Sequence, residues 1–196
     1  MKYSKCLIGA AAILVIFSMS ACVPLLSLYP LWDKAHAVDM PGLAGTWIMP
    51  DENEKVIIQD AEDIGYLVEY IAREKSKTVT SSYRMHAVKL GKTFFFDFEP
   101  EERGLRQWSE TEAFLPIVRA HFVVRAELTG DTLKLGILDD ERFVKKVRKE
   151  GIQIPYAELH GDEYVLTAET AAIQNFLLQY GDDPALWEMN EFQRLR

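Results

Sequence analysis

Cysteine is almost absent from the chain. There are two among 196 residues, Cys6 and Cys22, and both precede residue 23. Residues 23–196 therefore contain no cysteine for a disulfide, a thiolate nucleophile or a thiolate metal site. A segment of this length can bury a substantial hydrophobic core. The fold in this part of the chain must be held together by packing alone.

An excess of basic residues is also missing. The chain carries 22 Lys and Arg against 30 Asp and Glu, a net charge of −8. The first 21 residues hold two lysines and no acid, so the remainder has 20 basic and 30 acidic residues, a net charge of −10. Nucleic acids and anionic membrane faces are bound through basic patches. The charge therefore argues against nucleic acid as a partner.

Motifs that would indicate a reaction are lacking as well. Ser81, Ser82 and Ser109 stand outside any G-x-S-x-G elbow, and no glycine-rich phosphate loop is present. The sequence offers no catalytic constellation. We expect no enzyme activity and no cofactor.

What is present begins with the layout of a secretory signal. Lys2 and Lys5 form a positive region, residues 7–18 are mostly apolar, and small residues precede Cys22. The apolar core is too short to span a bilayer by itself. This pattern predicts a signal peptide over residues 1–21.

An uncleaved membrane anchor is the alternative. No charged residue lies between Lys5 and Asp33. Pro24 and Pro30 would interrupt a helix there, and small residues precede Cys22, so we prefer cleavage. In both cases the lysines stay in the cytoplasm, and the following domain lies beyond the inner membrane.

The tetrad Met19-Ser20-Ala21-Cys22 resembles the lipobox of bacterial lipoprotein precursors. The resemblance implies cleavage after Ala21, thioether lipidation of Cys22 and acylation of the new amino terminus by a palmitate-like chain. Two or more acyl chains anchor a protein stably, whereas one holds it marginally. Val23, in place of aspartate, resembles the sorting rule for the outer membrane. The implied place is the cell envelope, on the outer membrane facing the periplasm, with the membrane as a partner through the lipid.

The rest of the chain divides at one point. Residues 22–43 form a predicted lipid-anchored tether with proline and glycine breaks, and residues 44–196 form a single β-rich domain.

From Gly45 onward, apolar and polar residues alternate, which is typical of strands with one buried face. Turns such as 90–92 and 129–131 link neighbouring strands as hairpins. The predicted fold is mainly β, an antiparallel meander forming a barrel or a strongly curved sheet. The inward-facing sets are Ile64, Tyr66, Val68, Tyr70 and Ala72; Val79, Tyr83, Met85 and Ala87; Phe94, Phe96 and Phe98, opposite Asp97; and Val118, Ala120, Phe122, Val124, Ala126 and Leu128.

Two short helices are predicted in the C-terminal third. The first, within 139–151, begins with aspartates, ends in basic residues and stops at Gly151. The second begins at Thr167 or Thr170 as its cap and stops at Gly181. Its apolar stripe consists of Ile173, Phe176, Leu177 and Tyr180. A short pair of strands is expected between them, near 155–166.

Gly45-Thr46-Trp47, at the start of the first strand, resembles the G-x-W motif of lipocalins and their calycin relatives. In that family the tryptophan closes one end of a barrel whose interior holds an apolar ligand. The family's threonine-aspartate-tyrosine motif is missing here. Longer stretches, LPIVRAHFVVR, DTLKLGILDDERF and YVLTAETAAIQNFLLQYGDDPALW, resemble a group of uncharacterised bacterial lipoproteins, which implies no activity.

Aromatic residues on the inferred inner faces are the candidate ligand site. They either fill the core, because a barrel of about eight strands is just wide enough for side chains, or line a cavity. Residues 99–116 are long for a hairpin connection, and their Trp108 would cover the mouth of such a cavity. The candidate lining residues are Tyr66, Tyr70, Tyr83, Phe94, Phe96, Phe122 and Trp108.

Metal ligation is the weaker hypothesis. The histidines lack tight ligand spacing, and the acids lack the glycine and spacing of a calcium loop. We expect solvated side chains and no metal. The residues considered are His36, His86, His121 and His160, with Asp97, Glu99, Glu101 and Glu102.

These observations predict a lipid-anchored, non-catalytic envelope protein that binds a small apolar, fatty acyl-like ligand. An envelope protein-interaction module without such a ligand is the alternative, and an enzyme comes last.

Overall fold

The structure, a computed structural model, describes residues 24–49, 54–62, 64–74, 77–101, 119–159 and 163–196. The signal-peptide and lipobox predictions, together with Cys22, Trp108, Glu102 and His160, lie outside the described residues. Along the described chain the elements are β1 (Leu26–Ser27), β2 (Gly45–Ile48), β3 (Glu54–Asp60), β4 (Tyr66–Glu74), β5 (Lys77–Leu90), β6 (Thr93–Pro100), β7 (His121–Thr129), β8 (Thr132–Leu138), α1 (Asp140–Glu150), β9 (Tyr156–Glu158), β10 (Tyr164–Leu166), α2 (Thr170–Tyr180), a 3-10 turn (Pro184–Leu186) and β11 (Trp187–Arg194).

Eight of these strands close into an antiparallel barrel in the order β2-β3-β4-β5-β6-β7-β8-β11. The ring closes where β11 returns to β2, through the pairs Gln193 with Ile48 and Arg194 with Trp47. The long connection between β6 and β7 does not interrupt pairing, since Phe96 lies opposite Val124. The predicted antiparallel, mainly β fold is confirmed, and of its two forms the closed, lipocalin-like barrel is the one observed.

Alternation along the strands divides the protein into two hydrophobic cores. In β6, Phe96 and Phe98 point into the barrel, whereas Phe95 points outward. Most of the inward sets predicted for β4, β5 and β7 do face the inner core. Strand alternation therefore places these side chains as expected. Two members of those sets are exposed instead: Ile64, which precedes β4, and Val79, near the start of β5.

Part of the barrel's outer face, on β5 to β8, is covered where it was expected to be wet. The helices α1 and α2 pack on the outside of β6, β7 and β8, which buries Phe95, Val123 and Leu138. Helix α1 begins as predicted, because the Asp139 side chain accepts from the Arg142 N–H at 2.8 Å. Helix α2 has Glu169 at its N-cap rather than either predicted threonine. Its buried residues include Ile173, Phe176 and Leu177, all from the predicted stripe.

Residues 24–43, predicted as a tether, lie against the barrel, and we call them the N-terminal strap. Leu25 and Leu31 are buried in the outer core, and β1 pairs with both β7 and β10. The strap then descends along β5, where Ala37 bridges Val88. It ends with Met40 and Leu43, which enter the inner core. The strap's apolar side chains therefore cover the outer wall and plug one barrel end.

Candidate functional site: the cavity of the barrel

The barrel encloses a cavity of about 300 Å³ at the end where β6 finishes and β7 begins. Strands β3 to β8 and β11 all contribute to its wall, which consists mostly of aliphatic and aromatic side chains. Such a space suits a small apolar ligand, because ligand pockets are mostly apolar with a few polar groups that fix orientation. Its lining residues are Pro24, Glu54, Val56, Val68, Tyr70, Tyr83, Phe98, Phe122, Val124, Leu135, Ile137, Asn190 and Phe192.

The opposite end of the barrel is closed by Trp47, which is fully buried. Its indole N–H donates to the Leu43 carbonyl at 2.9 Å, and the Arg194 guanidinium lies 4.2 Å from the ring centroid. A cation above an aromatic face is attracted by the ring quadrupole. A Cβ at Gly45 would collide with that guanidinium, so the glycine of the G-x-W motif leaves room for it. The tryptophan closes the barrel end as the resemblance implied.

Tyr66 belongs to this closed end rather than to the cavity wall. Its hydroxyl accepts a hydrogen bond from the Met40 backbone N–H at 2.8 Å. This bond holds the end of the strap inside the barrel. Burial raises the pKa of Tyr66, so its hydroxyl stays protonated at neutral pH. Phe96 is fully buried in the packed half, and Phe94 lies beneath the Lys89 ammonium, 5.4 Å from the ring centroid. These three candidates fill the core or the closed end.

Tyr70, Tyr83 and Phe122, by contrast, lie on the cavity wall. The rings of Phe98 and Phe122 stack with centroids 4.9 Å apart. Tyr83 meets both of them edge to face, at 6.0 and 5.5 Å. Offset and edge-to-face contacts of this kind fix aromatic side chains in place. The cavity therefore has one rigid aromatic wall, formed by β5, β6 and β7.

Several wall residues were missed from the sequence. Leu135 and Ile137 alternate along β8 and could have been found by the same period of two. Asn190 and Phe192 come from β11, which was not predicted at all. Pro24 comes from the strap and reaches the wall only through tertiary packing.

Polar groups on the described wall are few. The Glu54 carboxylate is the one carboxylate among them, and Asn190 on β11 adds an amide. Tyr70 and Tyr83 carry hydroxyls on otherwise apolar rings. This arrangement can orient one polar head group above an apolar chain.

The two strand histidines were expected to be solvated, and this was wrong. His86 and His121 are both buried, because the strap and the helices cover the outer wall that carries them. The Trp32 ring stacks on His86 with centroids 3.8 Å apart. His121 Nδ1 donates to Asp97 Oδ1 at 2.7 Å, and the Asp97 carboxylate also accepts from the backbone N–H of Trp32 at 3.1 Å. The cluster holds the strap to the wall.

His36 is half-exposed and donates from Nδ1 to Asp33 Oδ1 at 2.8 Å. The Gln174 amide also donates to Asp33, and this bond, together with His36, holds the pKa of Asp33 at about 2. Within the described residues, no group of three or more His, Cys, Asp and Glu side chains is arranged to hold a metal ion.

A larger depression of about 460 Å³ lies on the surface between α1 and β10. Its lining includes the charged side chains Glu141, Lys145 and Arg148, and it opens to solvent. The barrel cavity is the better site for an apolar ligand, because its lining is mostly aliphatic and aromatic, whereas charged side chains line the depression.

The comparisons with known proteins add no family. The chain matches no family model, no curated protein and no solved structure. In the described part of the chain, no helix has the length and apolar character needed to cross a membrane.

Proposed function

We propose that this protein is a lipid-anchored, non-catalytic component of the cell envelope that binds a fatty acyl-like ligand inside its barrel. The observation that carries the proposal is the apolar cavity of about 300 Å³, closed at one end by Trp47 and Leu43. A fixed aromatic wall and few polar groups favour an acyl chain over a sugar or a nucleotide, which need many hydrogen-bond partners.

The anchor is proposed from the sequence alone. Met19-Ser20-Ala21-Cys22 supports lipidation of Cys22, and Val23 supports sorting to the outer membrane, with the barrel in the periplasm. The group of bacterial lipoproteins that the chain resembles is consistent with this location. A ligand that is poorly soluble in water would be available in such a membrane.

Native mass spectrometry of the detergent-extracted lipidated protein tests the proposal. We expect a co-purifying molecule of fatty acyl mass that is retained when the detergent is exchanged. Replacing Leu135, which faces the cavity, by tryptophan should remove that mass. Met189→Trp, at an exposed position of β11, is the matched control and should retain it. An identical mass spectrum for both variants would contradict the proposal.

A protein-interaction module is the second candidate. The acidic excess of residues 22–196, 30 acidic against 20 basic side chains, favours a basic protein partner on the surface. A stoichiometric protein in the same mass spectra, without a small molecule, would favour this function instead.

A further inference from the structure

The first described residue of the strap, Pro24, lies at the cavity. Pro24 lines the cavity and bridges Asp139 at the end of β8. The next residue, Leu25, is buried, and its N–H donates to the Leu138 carbonyl at 2.8 Å. From Pro24 onward, the described chain is therefore held against the barrel.

Cys22 precedes Pro24 by two residues, and two residues of extended chain span at most about 7 Å. A lipid on Cys22 would therefore keep Pro24, on the cavity wall, within that distance of the lipidated residue. The same limit applies if residues 7–22 instead remain as an uncleaved anchor. The geometry does not depend on which anchor is present.

We infer that the mouth of the cavity faces the anchoring bilayer and that the acyl ligand enters directly from the lipid phase. This inference rests on the proposed function for its ligand. The partner surface is the phospholipid bilayer that holds the anchor.

Two exposed apolar side chains lie at the same end of the barrel. Ser27 pairs with His121, the first residue of β7, so Leu28 and Tyr29 lie beyond the strand end. Their side chains are 43% and 44% exposed. Tyrosine and leucine side chains suit the boundary between head groups and acyl chains. At the opposite end, the turn after β5 carries the exposed Lys92.

Lipid quenching measures which end faces the bilayer. On a Cys6→Ala background, with the Cys22 sulfur occupied by its lipid, Tyr29→Cys and Lys92→Cys are each labelled with one fluorophore per chain. The anchored protein is then placed in phosphatidylcholine vesicles that contain a brominated phospholipid. We expect several-fold stronger quenching of the label at position 29 than at position 92. Equal quenching at both positions would overturn the inference.

A linker variant tests whether the short anchor causes this orientation. A flexible insert of about 20 Gly and Ser residues between Val23 and Pro24 adds a mean reach of roughly 25 Å. We expect it to abolish the difference in quenching and to slow the uptake of a fluorescent fatty acid from the vesicles several-fold. Unchanged uptake would contradict direct entry from the bilayer.

Equilibrium binding of that fatty acid, measured in the same vesicles, separates the two proposals. Binding together with equal quenching at positions 29 and 92 would leave the proposed function standing and overturn the orientation. Selective quenching at position 29 without binding would support the orientation and contradict the proposed function.

Discussion

His121 donates a 2.7 Å hydrogen bond to Asp97, and this buried pair joins β7 to β6 beneath the N-terminal strap. The other carboxylate oxygen of Asp97 accepts from the backbone N–H groups of Leu31 and Trp32. One carboxylate therefore connects two strands of the barrel to the segment that covers them. Removal of this carboxylate would leave three donors without their acceptor.

Asp97→Ala should lower the free energy of unfolding by about 3 kcal/mol, because each unpaired buried donor costs about 1–3 kcal/mol before relaxation. Urea unfolding followed by circular dichroism measures the loss. Asp60→Ala, at an exposed position of β3, is the control and should change stability by less than about 0.5 kcal/mol. Equal effects of the two substitutions would show that Asp97 does not fasten the strap.

Stability should fall as the pH rises through the titration of His121. Burial by itself lowers the pKa of His121, but the hydrogen bond to Asp97 and the charges of Asp97 and Glu99 outweigh it, so the pKa lies above 6.5. When folding raises the pKa of a group, its protonated form stabilises the folded protein. This stabilisation is complete at pH values below the pKa of the unfolded state, and it is lost as the pH rises through the pKa of the folded state.

The test compares urea unfolding at about pH 6 and about pH 8 in the wild type and in His121→Gln. The wild type should lose more stability between these values than the variant does. The same loss in both proteins would contradict a stabilising role for protonated His121.

Phe176→Ala should cost about 3–5 kcal/mol, the range for emptying a core aromatic position. Phe176 is buried between Phe143 and Tyr180, with ring centroids 5.4 and 5.3 Å away. Leu178→Ala on the same helix removes a side chain that is 54% exposed and should cost less than about 1 kcal/mol. A loss below about 1 kcal/mol for Phe176→Ala would mean that α2 is not docked on the barrel.

Cys22→Ser should abolish lipid attachment and block processing of the precursor. The lipobox interpretation assigns both steps to this cysteine, and the thioether requires its sulfur. Metabolic labelling with a fatty acid and the gel mobility of the precursor measure the two effects. Cys6→Ser is the matched control and should be labelled and processed normally. Undiminished labelling of the Cys22 variant would refute the lipobox assignment.

Strand alternation made much of the barrel predictable. Phe94, Phe96 and Phe98 needed only the period of two to be placed inside, because a strand sends successive side chains to opposite faces. Strand β11 was missed because its apolar residues are divided between its two faces. Trp187 packs on the outer core, whereas Phe192 packs in the inner core. The two residues are five positions apart, so alternation is intact, but it leaves neither face of the strand uniformly apolar.

The outer wall could not be predicted in the same way. His86, Asp97 and His121 have the spacing of a solvated strand face, and local sequence does not show that the strap will cover them. The cavity is similar, since Pro24 and Tyr83 lie far apart in the chain and meet only when the barrel closes. Alternation predicts which side chains face into the barrel. It does not predict which of these pack in the core and which line the cavity.

Photocrosslinking tests the central claim, binding of an acyl chain inside the barrel, most directly. The anchored protein in phospholipid nanodiscs is irradiated with a photoactivatable long-chain fatty acid, and the modified residues are mapped by peptide mass spectrometry. We predict labelling on the aromatic wall, at Tyr83, Phe98 and Phe122. This labelling should be lost in the cavity-filling variant Leu135→Trp and retained in Met189→Trp, with both variants folded by circular dichroism. Labelling confined to the outer surface, or equal in both variants, would contradict the account.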